Sequence, residues 1–126
     1  LPHGLAIAIA MPHVIKFNAV TGNVKRTPYP RYETYTAQKD YADIARYLGL
    51  QGTTDAELVD ALIAAIKALA KSVDVDQTLS GNGVKKADLE KNIDQLTDLV
   101  YNDQCIPGNP RQPSLAEIKQ LLMDQL

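Results

Sequence analysis

Residues 54–73 carry the clearest structural signal in the chain, because apolar residues recur there at every third or fourth position. The repeating residues are Leu58, Leu62, Ile66, Leu69 and Val73. This spacing places all of them on one face of an α-helix. The segment Thr54-Asp55-Ala56-Glu57 has the form of a capping box, in which two side chains satisfy free backbone groups at a helix start. We therefore predict a long helix that opens here and buries this stripe.

Three further segments, residues 36–48, 85–101 and 114–126, show the same helical period. Gly49 is expected to stop the first, and Ser114-Leu115-Ala116-Glu117 forms a second capping box. The faces expected to be buried are Tyr41, Ile44, Ala45 and Leu48; Leu89, Ile93, Leu96 and Val100; and Leu115, Ile118, Leu121, Leu122 and Leu126. No segment alternates long enough to require a strand. We predict an all-α fold, a bundle of about five helices, with residues 1–126 forming a single domain.

The first eighteen residues contain an uncharged apolar run and both histidines of the chain, His3 and His13. The run from Leu5 to Met11 must be buried by something, as a helix or, by composition alone, as a strand. Pro2 and Gly4 bracket His3 as a turn entering a helix would. On a continuous helix the two histidines are about 15 Å apart along the axis and differ by roughly 80° in direction. They therefore cannot chelate one ion together.

Two motifs resemble those of the iron-dependent (group III) alcohol dehydrogenases. The first is Pro2-His3-Gly4, followed by Met11-Pro12-His13-Val14 and Phe17-Asn18-Ala19. The second is the segment in which Cys105 precedes Asn109-Pro110-Arg111. In that family the histidine of Pro-His-Gly binds the catalytic divalent metal, so the resemblance implies His3 as a metal ligand and His13 as a structural residue. Many members have Asn where this chain has Ile7.

The resemblance also implies a context for the chain. The chain resembles the C-terminal helical domain of the dehydroquinate synthase-like fold. It is most like the alcohol dehydrogenase half of bifunctional aldehyde-alcohol dehydrogenases, which reduce acetaldehyde to ethanol in fermentation. Fe²⁺ or Zn²⁺ and NAD are the expected cofactors of the complete enzyme. The expected partners are an N-terminal nucleotide-binding domain, a small aldehyde or alcohol substrate, and further copies in a homo-oligomer or filament. We expect this chain to be a piece of a longer enzyme, inactive and without a tightly bound cofactor on its own.

Cys105 is the only cysteine of the chain, so an intramolecular disulfide is impossible and a reducing, cytoplasmic setting is expected. The resemblance places its segment near the cofactor cleft, which makes Cys105 a candidate cofactor-lining residue. The other interpretation is a small apolar residue at a helix end, because no base that could activate the thiol is identifiable. Arg111 could bind backbone carbonyls or a carboxylate.

Other classes of function have less support in the sequence. A net charge of −2 and a pI near 5.6 give no general attraction to nucleic acid. Residues 21–35 hold three basic residues and three tyrosines but are interpreted as an exposed loop, and the loop at residues 80–83 lacks the spacing of a phosphate-binding loop. The apolar run is too short to span a membrane. The alternative to an enzyme domain is a non-catalytic helical interaction module, in which both histidines merely pack or cap.

Overall fold

The computed structural model describes residues 1–28 and 33–126. Five α-helices occur there: α1 (His3–Asn18), α2 (Ala37–Tyr47), α3 (Asp55–Ser72), α4 (Lys86–Tyr101) and α5 (Leu115–Met123), with a short 3-10 turn at Ile106–Gly108. Extended pairing in these residues is limited to an isolated antiparallel bridge between Arg26 and Arg111. The predicted all-α class is confirmed, and the run from Leu5 to Met11 is helical. Part of the predicted 21–35 loop, residues 29–32, lies outside the described residues.

Helix α3 is the centre of the bundle, since it packs against both α1 and α2, while α4 packs against α5. One core cluster, between α2 and α3, consists of Ala42, Ala45, Leu58 and Leu62. A second, between α1 and α3, consists of Ile15, Ala19 and Val59. Burial of these apolar side chains against α3 holds the first three helices together. Among the described residues, no helix combines the length and the apolar character needed to cross a bilayer.

Both predicted capping boxes are present. The Thr54 and Ser114 hydroxyl oxygens each accept a hydrogen bond at 3.2 Å from the backbone N–H three residues later. In return, the carboxylates of Glu57 and Glu117 accept from the backbone N–H of the capping residue. Hydrogen bonds to the ionised carboxylate lower the pKa of Glu57, chiefly those from the Thr53 hydroxyl and backbone N–H and then that from Thr54. The backbone N–H of Ser114 is the main cause of the lowered pKa of Glu117. The predicted stop at Gly49 is also confirmed, since its φ of +72° is a conformation that glycine adopts without strain.

Three of the predicted buried faces are wrong in part. Ile44 and Leu48 on α2 are 48% and 56% exposed, and Leu69 and Val73 on α3 are 66% and 62% exposed. The predicted burial of Ala45 is confirmed, and the residues buried in addition are Ala37 and Ala42 on α2 and Val59 and Ala70 on α3. Leu115, at the start of α5, is exposed as well. Helices α2 and α3 meet through the alanines because small side chains permit a close approach, which turns the larger apolar groups of α2 outward.

Pro12 lies inside α1 without ending it. Proline has no backbone N–H, so the carbonyl of Ala8, four residues earlier, cannot receive its helical hydrogen bond. The side-chain amide of Gln77 donates to that carbonyl at 2.7 Å. The loop after α3 therefore supplies the hydrogen bond that Pro12 cannot donate within α1, as the pairing of buried backbone groups requires.

Candidate functional site

His3 is the first residue of α1, and its side chain is exposed. In the described part of the chain, no three or more His, Cys, Asp or Glu side chains come close enough to hold a metal ion together. Imidazole is a suitable donor for Fe²⁺ or Zn²⁺, but a catalytic site uses about three protein ligands. His3 therefore fits a metal site as one donor of several. Its assignment as a ligand stays a prediction.

His13 occupies a different environment, half-buried against α3 and the end of α5. Burial lowers the pKa of its imidazole, and the positive charges of Lys67 and Lys16 lower it further, while Asp124 acts in the opposite direction. The neutral ring is thus favoured in the folded chain. The structure does not bring His13 and His3 to a common ion site.

The two family-like motifs meet through a pair of asparagines. The side-chain amide of Asn18 donates to Asn109 Oδ1 at 2.9 Å, and the amide of Asn109 donates back to Asn18 Oδ1 at 2.9 Å. Asn18 is only 2% exposed, so both bonds form away from most solvent. The Tyr35 hydroxyl also donates to the Asn18 carbonyl. Because these groups satisfy one another, the end of α1 is fastened to the segment that follows α4.

Arg111 forms a second set of contacts between the end of α1 and the segment that follows α4. Its guanidinium donates to the Phe17 carbonyl at 2.7 Å and to the Glu117 carboxylate at 2.5 Å. It also lies 3.8 Å above the centroid of the Phe17 ring, in a cation–π arrangement. The interpretation of Arg111 as a residue that binds a carbonyl or a carboxylate is confirmed. One side chain therefore ties α1 to the start of α5.

Residues 105–113 also form hydrogen bonds with the loop after α1, and these bonds were not predicted from the sequence. The hydroxyl of the buried Thr27 donates to the Pro107 carbonyl at 2.9 Å, and its backbone N–H donates to the Pro110 carbonyl at 3.1 Å. The N–H of Gln112 donates to the Lys25 carbonyl at 2.9 Å. No local pattern indicated these bonds, because they join segments about eighty residues apart.

Cys105 is exposed and stands just before the 3-10 turn. A hydrogen bond to Asp103 and the negative charge of that carboxylate raise the pKa of the thiol, so the reactive thiolate is disfavoured. The thiol also lines an apolar cavity of about 570 Å³, which lies between α1 and the α4–α5 pair. Among the other lining residues are Ala6, Val14 and Phe17. Cys105 is thus placed to line a cleft and has no features of an activated nucleophile.

These features define a class: a helical domain with one potential metal donor exposed at a helix start and a second motif locked onto the end of the same helix. All of the chain, residues 1–126, matches the model of the Fe-containing alcohol dehydrogenase family, C-terminal. The chain belongs to the iron-containing alcohol dehydrogenase family and corresponds to its C-terminal domain.

Named relatives support this assignment. The chain is 36% identical over 126 residues to the bifunctional aldehyde-alcohol dehydrogenase AdhE of Escherichia coli K12, and 38% identical over 124 residues to the aldehyde-alcohol dehydrogenase of Clostridium acetobutylicum. Each match covers 98% of this chain but only 14% of the relative. An iron-containing alcohol dehydrogenase structure from Thermococcus thioreducens superposes with a TM-score of 0.73 at 29% identity, covering 99% of this chain and 28% of that one.

Proposed function

We propose that this chain is the helical metal-binding domain of an NAD- and iron-dependent alcohol dehydrogenase that reduces acetaldehyde to ethanol. Family membership and the similarity to aldehyde-alcohol dehydrogenases support the reaction class. The observation that carries the proposal is the position of His3, an exposed imidazole on the first turn of α1. It presents one metal donor, and the rest of the described chain does not supply the further ligands that complete a metal site.

In this proposal His3 holds one coordination position through a ring nitrogen, and the other ligands and the nucleotide-binding domain belong to a longer polypeptide. When bound, the metal and NADH together supply Lewis-acid polarisation of the aldehyde oxygen and a hydride. Helix α1 carries His3 at one end, and its other end is anchored by the hydrogen bonds between Asn18 and Asn109 and from Arg111 to the Phe17 carbonyl. Cys105 lines the nearby cleft without taking part in covalent chemistry.

The decisive experiment replaces each histidine in the complete enzyme of which this chain is proposed to be a part. We expect His3→Ala to lower both bound iron and kcat by at least about tenfold, the range seen when metal-site groups are lost. His13→Gln is the matched control, because His13 is on the same helix but faces α3 and α5. It should retain iron and turnover. If His3→Ala leaves both the iron content and kcat unchanged, the ligand assignment is wrong.

The purified 126-residue chain gives a second, independent test. With only one donor from α1, it should bind iron weakly and should not oxidise NADH in the presence of acetaldehyde. Measurable NADH oxidation above a buffer control would contradict the proposal that the remaining ligands and the nucleotide-binding domain lie elsewhere.

The second candidate function is a non-catalytic interaction module. It is favoured by apolar side chains that the bundle leaves exposed on α2 and α3, among them Tyr47, Leu69 and Val73. Exposed apolar groups of this size can mediate association. Sedimentation analysis separates the two readings: if Leu69→Ser abolishes self-association in the complete protein while His3→Ala leaves turnover intact, the interaction function is the better description.

A further inference from the structure

A second cavity, of about 360 Å³, lies where α1 and α3 approach the loop after α3 and the end of α5. Its wall carries three basic side chains, His13, Lys67 and Lys71, and the carboxylate of Asp124. None of these groups takes part in the contacts that join the two motifs. The cavity is therefore separate from the proposed metal donor and from the apolar cleft that Cys105 lines.

The basic groups of this cavity are close enough to influence one another, since Lys67 lowers the pKa of His13. Within the described residues, no side-chain hydrogen bond or salt bridge is formed by His13, Lys67 or Lys71, although the Asp124 carboxylate acts on His13 through its charge. Lys67 and Lys71 are four residues apart on α3, so their side chains project from the same helix face. Both lysines are exposed, and two like charges at this spacing on a helix repel each other weakly, which an anion bound between them would relieve.

Three other polar side chains of the wall each donate one hydrogen bond within the chain. Gln77 donates to the Ala8 carbonyl at 2.7 Å, the Thr78 hydroxyl to Asp76 at 2.8 Å, and Gln125 to the Leu121 carbonyl at 2.9 Å. One N–H of each amide remains available to a ligand, and the positively charged donors of the wall are those of the basic side chains. All of them favour an anion, and the single carboxylate of Asp124 does not cancel the charge of two lysines.

We propose that this cavity binds a small tetrahedral oxyanion of the phosphate class, held by His13, Lys67 and Lys71. Phosphate offers several acceptor oxygens, which suit donors that converge from two helices better than the two oxygens of a carboxylate do. A dianion neutralises both lysines, and its charge favours protonation of His13, which can then donate a further charge-assisted hydrogen bond. Asp124 weakens the binding by repulsion and by competing for the imidazolium.

The chain contains only two histidines, which supplies an internal reference for the test. The imidazole resonances of His3 and His13 are followed by NMR in the 126-residue chain across pH, once with inorganic phosphate and once with chloride at equal ionic strength. Phosphate should raise the pKa of His13 and shift its resonances in a saturable manner. His3 should respond equally to both salts.

Variants then assign the binding to the cavity. Lys67→Gln and Lys71→Gln should each weaken phosphate binding by about threefold or more, as expected for loss of one partly exposed charge contact. Asp124→Asn should strengthen it. Lys91→Gln on α4 is the matched control, since it removes the same charge from a position outside the cavity, and it should have no effect.

Two further comparisons complete the experiment. Glycerol 3-phosphate in place of inorganic phosphate distinguishes the source of the anion: tighter binding of the ester supports an organic phosphate, and tighter binding of inorganic phosphate supports the free ion. The proposal is overturned if phosphate moves His3 and His13 alike, or if Lys91→Gln weakens binding as much as Lys67→Gln does.

Discussion

At the scale of single residues, Asn109 forms side-chain hydrogen bonds with two other residues. Its amide pairs with buried Asn18 and also donates to the Arg111 carbonyl. Asn109→Ala removes these bonds and leaves the Asn18 amide without its main partner, which should lower the free energy of unfolding by about 1–3 kcal/mol. Urea denaturation followed by circular dichroism measures the change.

The control for this prediction is Asn92→Ala. The Asn92 amide is exposed and bonds only to the Asp88 carbonyl of its own helix, so its loss should change stability by less than about 0.5 kcal/mol. If both variants lose the same stability, the asparagine pair contributes nothing specific.

His13 gives a prediction about pH. Its pKa is below the ordinary value of 6.5, chiefly through burial and then through Lys67, with Lys16 adding to the effect and Asp124 opposing it. The unfolded chain therefore binds this proton more readily than the folded chain does. The contribution to stability is fully present above pH 6.5 and is lost as the pH falls through the lower pKa of the folded state.

His13→Gln should remove this part of the pH dependence. Urea midpoints for the two proteins at about pH 7.5 and about pH 5.5 should show a larger loss for the wild type than for the variant. The lowered pKa values of Glu57 and Glu117 act below their ordinary value of 4.5, so they do not confuse the comparison. Equal losses in both proteins would show that His13 is not the group responsible.

At the scale of elements, the hydrogen bond from Gln77 to α1 can be tested by a double-mutant cycle. Gln77→Ala leaves the Ala8 carbonyl without a donor and should cost about 1–3 kcal/mol. In a Pro12→Ala background residue 12 regains its N–H and can bond that carbonyl itself, so the same substitution should cost less. Thermal unfolding of the four proteins gives the coupling energy, and a coupling near zero would show that Gln77 does not compensate for Pro12.

The elements also show which features the sequence could predict. The capping boxes at Thr54 and Ser114 were readable because the residues that form each one lie within four positions. The buried faces of α2 and α3 were not fully readable, because Ile44 and Leu69 are apolar but burial depends on which helix lies opposite. The spacing of apolar residues identifies a helix and its apolar side. Whether a face of alanines packs against another helix can be recognised only when the position of that helix is known.

The same distinction applies to the candidate site. Pro2-His3-Gly4 and Asn109-Pro110-Arg111 were each recognisable as motifs, and Arg111 was expected to bind a carbonyl or a carboxylate. That Asn18 would pair with Asn109, 91 positions away, was not predictable, because no local rule joins such distant residues. The contacts from Thr27 were missed for the same reason.

At the scale of the whole molecule, the helices pack as two groups, and hydrogen bonds from the loops join the groups. Helices α1, α2 and α3 form one group and α4 and α5 the other, with the apolar cavity between α1 and the α4–α5 pair. The ties across this boundary include the asparagine pair and the contacts of Arg111. The position of the Cys105 segment relative to α1 therefore depends in part on these polar contacts.

Arg111→Ala tests this dependence. The variant loses hydrogen bonds from a charged, largely buried group together with the cation–π contact to Phe17, so we expect a loss of roughly 2 kcal/mol or more in the free energy of unfolding. Arg111→Lys should recover only part of it, because an ammonium group cannot reproduce the planar, forked contact. Hydrogen exchange should become faster in α4 and α5 than in α3, since α3 keeps its packing against α1 and α2.

Arg46→Ala is the control, because its ion pairs with Asp43 and Asp55 are on the exposed surface of α2 and α3. Equal acceleration of exchange in all five helices of the Arg111→Ala variant would show that the two groups unfold as one unit and that Arg111 has no special place at their boundary.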